Sequence, residues 1–212
     1  MLSVIIPAYN EKLSVGGAYY TISDILREAQ IDTEIIFIDD GSQDQTYKMI
    51  TELSAENENI TGLHFSRNFG KESAISAGLS AVNGDCAVVI DCDLQHPPEK
   101  IIEMYRLWEQ GYEIVEGIKK ERGQEKKMHR IGAKIFYSVI SCMAGFDMAN
   151  SSDFKLLDRK VIDVLNKMPE RGFFRAISYW VGYNKAAVEY SVNERVDGES
   201  KWSTKGLVKY AI

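Results

Sequence analysis

Short apolar runs alternate with longer amphipathic stretches through the first two thirds of the chain. Val4-Ile5-Ile6, Ile35-Ile36-Phe37-Ile38 and Ala87-Val88-Val89-Ile90 are continuous and rich in β-branched residues, as in strands buried on both faces. The pattern predicts strands over 2–7, 34–39, 60–66, 86–91 and 113–117, and helices over 14–29, 45–56, 71–82 and 98–110. In the last of these helices Ile101, Met104, Tyr105 and Trp108 share one face, Pro97 and Pro98 open it and Gly111 ends it. Alternation of this kind specifies an α/β fold, with a mainly parallel central sheet and helices on both faces.

The second half reads differently. Residues 119–134 carry seven Lys or Arg against two Glu, in a protein of net charge −6. An apolar stretch over 131–146 follows, too short to span a bilayer. A basic segment leading into an apolar helix suits an anionic membrane surface. A solvated loop followed by a helix packed on the sheet is the alternative. At 212 residues the chain is one domain, or one domain with an extension. The acidic balance argues against nucleic acid as a partner. Cys86, Cys92 and Cys142 are odd in number and not spaced as zinc ligands, which fits a reduced cytosolic compartment. Met1 leads straight into a strand, so no signal peptide is expected. Residues 207–212 read as a helix in progress, so the chain is expected to continue.

Candidate chemistry gathers at the strand ends. Asp91-Cys92-Asp93-Leu94-Gln95-His96-Pro97-Pro98 follows an apolar strand. Two carboxylates one residue apart repel unless a cation lies between them, and a divalent metal carrying a phosphate is a natural occupant. A solvated turn is the bland alternative. The first strand ends in Pro7-Ala8-Tyr9-Asn10-Glu11 and the second in Asp39-Asp40-Gly41-Ser42-Gln43-Asp44. Asp-Gly-Ser is also an ordinary turn, and Asn10-Glu11 an ordinary helix cap. In a parallel sheet all three ends point the same way, so the clusters are expected on one edge, where open α/β sheets bind ligands. No G-x-G-x-x-G or G-x-x-x-x-G-K-[ST] loop is present, which leaves hydride transfer and P-loop chemistry without support.

These segments, in this order and with Arg67-Asn68-Phe69-Gly70-Lys71-Glu72 between them, resemble glycosyltransferase family 2. Ser152-Asp153-Phe154-Lys155-Leu156 and Arg195-Val196-Asp197-Gly198-Glu199-Ser200-Lys201-Trp202 extend the resemblance to its polyprenyl-phosphate glycosyltransferases. It covers nearly the whole chain and implies a GT-A type, Rossmann-like fold with a C-terminal acceptor-side extension. Residues 1–118 then form the donor half and 119–212 the acceptor-side half of one catalytic domain. The implied reaction is inverting transfer of a sugar from a nucleotide-diphosphate sugar to a polyprenyl phosphate at the cytoplasmic face of the cell membrane. A UDP-sugar is the favoured donor, with GDP-mannose as the alternative, and Mg²⁺ or Mn²⁺ the cofactor. Oligomeric state stays open, a homo-oligomer included.

The same resemblance gives the residues roles. Asp93, with Asp91 and Gln95, would hold the metal. Pro7, Tyr9 and Glu11 would hold the nucleoside, with Asp39 or Asp40 reaching base or ribose. Lys119, Arg195 and Lys201 would contact the diphosphate. Lys71 reads equally as a phosphate ligand or a helix-cap cation. Asp153 stands on the acceptor side. A lipid phosphate is already ionised near neutral pH, so Asp153 would orient it rather than act as a strong base. A turn cap before a strand over 154–157 is the other reading of Asp153. Departures from the family pattern are His96 for Asp, Lys119 and Lys155 for Arg, and Trp202 for Tyr. Relatives of the bactoprenol type continue into transmembrane helices. A soluble saccharide or protein hydroxyl as acceptor, and a nucleotide-binding module without turnover, are the competing functions. A processive polysaccharide synthase lacks support, since no Q/R-x-x-R-W segment occurs.

Overall fold

A computed structural model describes residues 1–120, 152–168 and 173–193. Seven strands form one sheet: β1 (Leu2–Ala8), β2 (Thr33–Asp39), β3 (Ile60–His64), β4 (Cys86–Val89), β5 (Ile114–Lys119), β6 (Lys155–Asp158) and β7 (Lys185–Tyr190). Their order is β3-β2-β1-β4-β6-β5-β7. The α/β fold expected from the sequence, a mainly parallel sheet with helices on both faces, is found. β1 pairs in parallel with β2 and β4, β2 with β3, and β5 with β7. Among the described strands only β6 runs against its neighbours, pairing antiparallel with both β4 and β5. That reversal decides where the site forms. The start of β6 meets the C-terminal ends of β1, β2, β4 and β5 on one edge, with Lys155 opposite Val89.

The continuous apolar strands are explained by helices on both faces. Val4, Ile6 and Phe37 pack with α1 (Val15–Glu28), α2 (Thr46–Glu56) and α4 (Lys100–Glu109). Ile5, Ile36 and Ile38 point the other way, into α3 (Lys71–Ser80), α5 (Arg159–Lys167) and α6 (Phe174–Trp180). Alternate residues of one strand thus enter two cores, so both must be apolar. On α4, Ile101 and Met104 are buried, with Tyr105 and Trp108 packed beside them, as the periodicity requires.

Element ends shift for local reasons. α4 begins at Lys100 rather than Pro98, because the amides of Lys100 and Ile101 bond back to Pro97 and Pro98 in a tight turn. β4 stops at Val89, where its pairing with β6 ends and the chain turns through Leu94 at φ 54°. β5 runs on to Lys119 because β7 pairs along its whole length. Among the described residues no helix is long and apolar enough to cross a membrane.

Gly41 sits at φ +68°, and a Cβ there would lie 2.3 Å from the backbone carbon of Arg67. Left-handed strain and a backbone overlap act together, so Gly41→Ala is expected to cost at least about 2 kcal/mol. A urea melt of the two proteins measures it; an unchanged midpoint would contradict this packing.

Candidate active site

The strand-end loops interlock through their own polar groups. Asn10, at φ 54°, donates its amide to Ser42 Oγ, and its Oδ1 accepts from the Gln43 amide, each at 2.8 Å. The Glu11 amide donates to Thr46 Oγ1, while its carbonyl receives the Ser14 and Val15 amides at the start of α1. Glu11 is not the cap itself: α1 starts at Val15 with Ser14 at its N-cap, and Ser14 Oγ donates to Glu11 Oε2 at 2.8 Å. Pro7 lies half-buried in β1, one residue before its end at Ala8, and Tyr9 is exposed just beyond it.

The two aspartates after β2 have different tasks. Asp39 is fully buried, accepts the Ser42 amide, and lies 2.6 Å from His64 Nδ1, whose ring stacks on Tyr47. Asp40 accepts the amides of Phe69 and Gly70 at 2.7 and 2.9 Å. Burial pushes its carboxyl up, and these two amides pull it only part of the way back. Its carboxylate is thereby tied to the chain itself, where it fixes the residues that launch α3.

Lys71 is the first residue of α3, and its Nζ bridges Asp91 Oδ1 at 2.5 Å and Asp153 Oδ2 at 2.9 Å. A cation at a helix N-terminus opposes the helix dipole, and here two carboxylates offset that cost. Burial would lower the Lys71 ammonium, but Asp91 and Asp153 outweigh it and raise it above the usual lysine range. Asp153 is almost fully buried, two residues before β6. Arg175 on α6 grips it with two hydrogen bonds, Nε to Oδ1 at 2.7 Å and Nη2 to Oδ2 at 2.9 Å. Burial alone would raise the Asp153 carboxyl. The Arg175 hydrogen bonds and the charges of Lys71 and Arg175 win, holding it well below the usual carboxylate range.

Asp93 Oδ1 accepts the Gln95 amide at 3.2 Å within the loop after β4. The Gln95 carbonyl receives the Asn193 amide at 3.0 Å, so the chain leaving β7 returns to this loop. Lys119 ends β5 on the same edge, exposed. Arg195, Lys201, Trp202 and Cys142 lie outside the described residues, as do 121–151, which hold most of the basic stretch and the apolar stretch to 146. His96 does not cap α4. It packs half-buried against Phe154 and Tyr190, with Nδ1 3.8 Å from Asp91 Oδ2, and its partial burial pushes its imidazolium down. Cys86 begins β4, and Cys92 is buried in the core between the two aspartates.

Three contributors were not found in the sequence. Arg175 is one. Glu72 is another, its Oε2 accepting the Phe174 amide at the start of α6. The third is the buried pair of Lys155 and Glu116, 3.3 Å apart, which also engages Ser178 Oγ and the Ser152 amide. Glu72 and Lys155 lie within quoted motifs, but their partners are distant in sequence and carry no local pattern.

The donor set suits a hard divalent cation. Asp91, Asp93 and Gln95 offer oxygen ligands on one short loop, and such chemistry fits Mg²⁺ or Mn²⁺. Among the described residues no group of three or more His, Cys, Asp or Glu forms a cage. Two carboxylates leave room for a substrate diphosphate and water to complete the shell.

Comparison with known proteins addresses the family and the fold. The family model for glycosyl transferase family 2 matches residues 3–165. An uncharacterized glycosyltransferase of Bacillus subtilis is 36% identical over 99% of this chain and 66% of its own length. A prophage bactoprenol glucosyl transferase homolog of Escherichia coli is 34% identical over 100% of this chain and 70% of its own. The chain thus spans about two thirds of such relatives. Glucosyl-3-phosphoglycerate synthase of Mycobacterium tuberculosis, solved with Mn²⁺, UDP-glucose and phosphoglyceric acid, superposes with a TM-score of 0.66 at 20% identity, covering 98% of this chain and 74% of that one. A mannosyltransferase of Pyrobaculum calidifontis with GDP-mannose and Mn²⁺ gives 0.60 at 17%, covering 92% and 58%.

Proposed function

The chain belongs to glycosyl transferase family 2, and on that premise we propose that it moves a sugar, with inversion, from a nucleotide-diphosphate sugar to a polyprenyl phosphate. The observation that carries this reading is the single lysine joining the Asp91–Asp93 loop to Asp153. It sets a donor-side acidic pair and an acceptor-side carboxylate against one another on one sheet edge. Relatives named bactoprenol glucosyl transferase support the lipid acceptor. Neighbours of the same fold that hold UDP-glucose or GDP-mannose support a UDP-sugar, with GDP-mannose as the alternative.

Asp93, Asp91 and Gln95 would hold Mg²⁺ or Mn²⁺, which neutralises the leaving diphosphate when bound. The chain's own residues do the rest. Pro7, Tyr9 and Glu11 border the nucleoside side, and buried Asp39 braces the loop facing it. Lys119 adds positive charge at the edge, and Arg195 and Lys201 are proposed to do the same. Asp153, held ionised by two cations, is a weak proton acceptor. An acceptor that arrives ionised needs no base, whereas a saccharide hydroxyl does. This favours the phosphate acceptor over the hydroxyl.

The basic stretch 119–134 would hold the protein at the cytoplasmic face of the membrane, where each Lys or Arg contributes on the order of 1 kcal/mol. The test combines binding and turnover. Transfer from UDP-glucose should require undecaprenyl phosphate and a divalent metal. Co-sedimentation with anionic vesicles should fall as salt rises and when Lys119, Lys120, Lys126 and Lys127 become Gln. Turnover on a soluble saccharide instead of the lipid overturns the acceptor. Equal binding to neutral vesicles overturns the membrane role.

A further inference from the structure

We propose that Arg175 is the positioning residue of the acceptor side, fixing the angle at which Asp153 faces the incoming nucleophile. The inference rests on the acceptor-side reading of Asp153 and extends it to α6, an element that no motif marks.

A carboxylate before a strand has a free χ1 and χ2, and one salt bridge restrains it poorly. Asp153 has two restraints of different shape. Arg175 takes both oxygens through a planar fork, which fixes the carboxylate plane. Lys71 adds a third contact to Oδ2 from the opposite element, α3. Together they define position and rotation.

The fork is itself held from two sides. The Phe174 amide, next to Arg175, donates to Glu72 Oε2 at 2.8 Å. The Arg175 carbonyl receives Ser178 Oγ at 3.1 Å and Lys155 Nζ at 3.4 Å. Lys155 is fully buried, stands two residues beyond Asp153, and is paired with Glu116. A buried ion pair is a costly way to stabilise a fold, and replacement by apolar groups is often neutral. Here it ties the backbone of Arg175 to the strand that carries Asp153. Glu72 neighbours Lys71 on α3, so both cations that grip Asp153 are anchored to one frame.

Orientation is worth much in group transfer. A displacement of about 1 Å away from the reacting atoms can cost about 10²-fold in rate. Lys at position 175 would keep the charge but lose the two-pronged grip, because an ammonium is a point donor.

The test compares Arg175→Ala and Arg175→Lys with the wild-type chain. It uses UDP-glucose, Mn²⁺ and undecaprenyl phosphate in detergent, with a thermal melt of each protein. Arg175→Ala is expected to lower kcat about 10²-fold, with donor KM and the calorimetric affinity for UDP within about twofold of wild type. Arg175→Lys should recover no more than about a tenth of wild-type kcat. Added methylguanidinium should raise kcat of Arg175→Ala, and not that of wild type. A folded Arg175→Lys with wild-type kcat overturns the proposal, and it is decisive even where Arg175→Ala does not fold. So does a loss of UDP affinity equal to the loss of kcat, or a kcat loss matching only the unfolded fraction. Wild-type behaviour separates the two inferences. Transfer to a saccharide hydroxyl in place of the lipid phosphate overturns the acceptor reading, and the Arg175 comparison is then made on that saccharide with the same expectations.

Discussion

Asp93→Asn is expected to abolish the metal-dependent part of nucleoside diphosphate binding and to lower turnover on the order of 10³-fold, with the fold intact. Asp93 lies in a loop after β4, where its Oδ1 accepts the Gln95 amide at 3.2 Å. An asparagine oxygen can still accept that bond, so the loop should keep its shape. The charge is lost, and with it half of the carboxylate pair that would balance a divalent ion. Asp91 cannot compensate, because Lys71 already sits 2.5 Å from its Oδ1. The leaving diphosphate then departs without charge neutralisation, and electrostatic stabilisation of this kind is often the largest catalytic contribution. Calorimetry of UDP binding with and without Mn²⁺ measures the effect. An unchanged metal-dependent affinity in the variant would remove Asp93 from the metal site.

The edge formed by the strand ends was legible because parallel strands make sequence order and spatial order agree. Buried runs at 4–6, 35–38 and 87–90 mark β1, β2 and β4, and each is followed by its own polar cluster. The rule that ligands meet strand C-termini then converts sequence into place. Residue roles within the clusters were less legible. Asp39 and Asp40 are adjacent and chemically identical, yet one faces Ser42 and His64 while the other fixes the amides that open α3. Only backbone direction distinguishes them. Lys71 was assigned equally to phosphate or helix cap, and the structure gives it to two carboxylates, one of them 82 positions away in the chain (Lys71 to Asp153).

The acceptor side was harder for a topological reason. β6 enters antiparallel between β4 and β5, so its first residue, not its last, reaches the site. A strand at 154–157 was expected without its direction. Its partner on α6 lies in a segment to which the sequence pattern assigns no element and no role. Arg175 belongs to no motif, and its place is set by Glu72 on α3 and Lys155 on β6. Such long-range polar networks have no period for a sequence to display.

Asp153→Asn is expected to lower kcat by at least about 10²-fold while leaving the affinity for UDP and Mn²⁺ near wild type. The amide keeps the size of the carboxylate but turns one acceptor into a donor, which cannot face the Arg175 fork or Lys71 favourably. Lys71 retains Asp91, so the donor side keeps its arrangement. Because the carboxyl is ionised throughout, the loss should stay constant between about pH 6 and 9. Stability adds an independent sign. The native carboxyl lies below its unfolded value of about 3.9, so its contribution is complete above that pH and is lost as pH falls through the lower native value. The variant lacks that contribution throughout. It should be less stable than wild type at neutral pH by about 1–3 kcal/mol, reduced from the cost of breaking a fully buried pair because Lys71 and Arg175 are partly exposed. The gap should narrow only below about pH 4. Urea melts at pH 7 and pH 3 beside donor-binding calorimetry read all of this, and equal losses in UDP affinity and turnover would move Asp153 to the donor side.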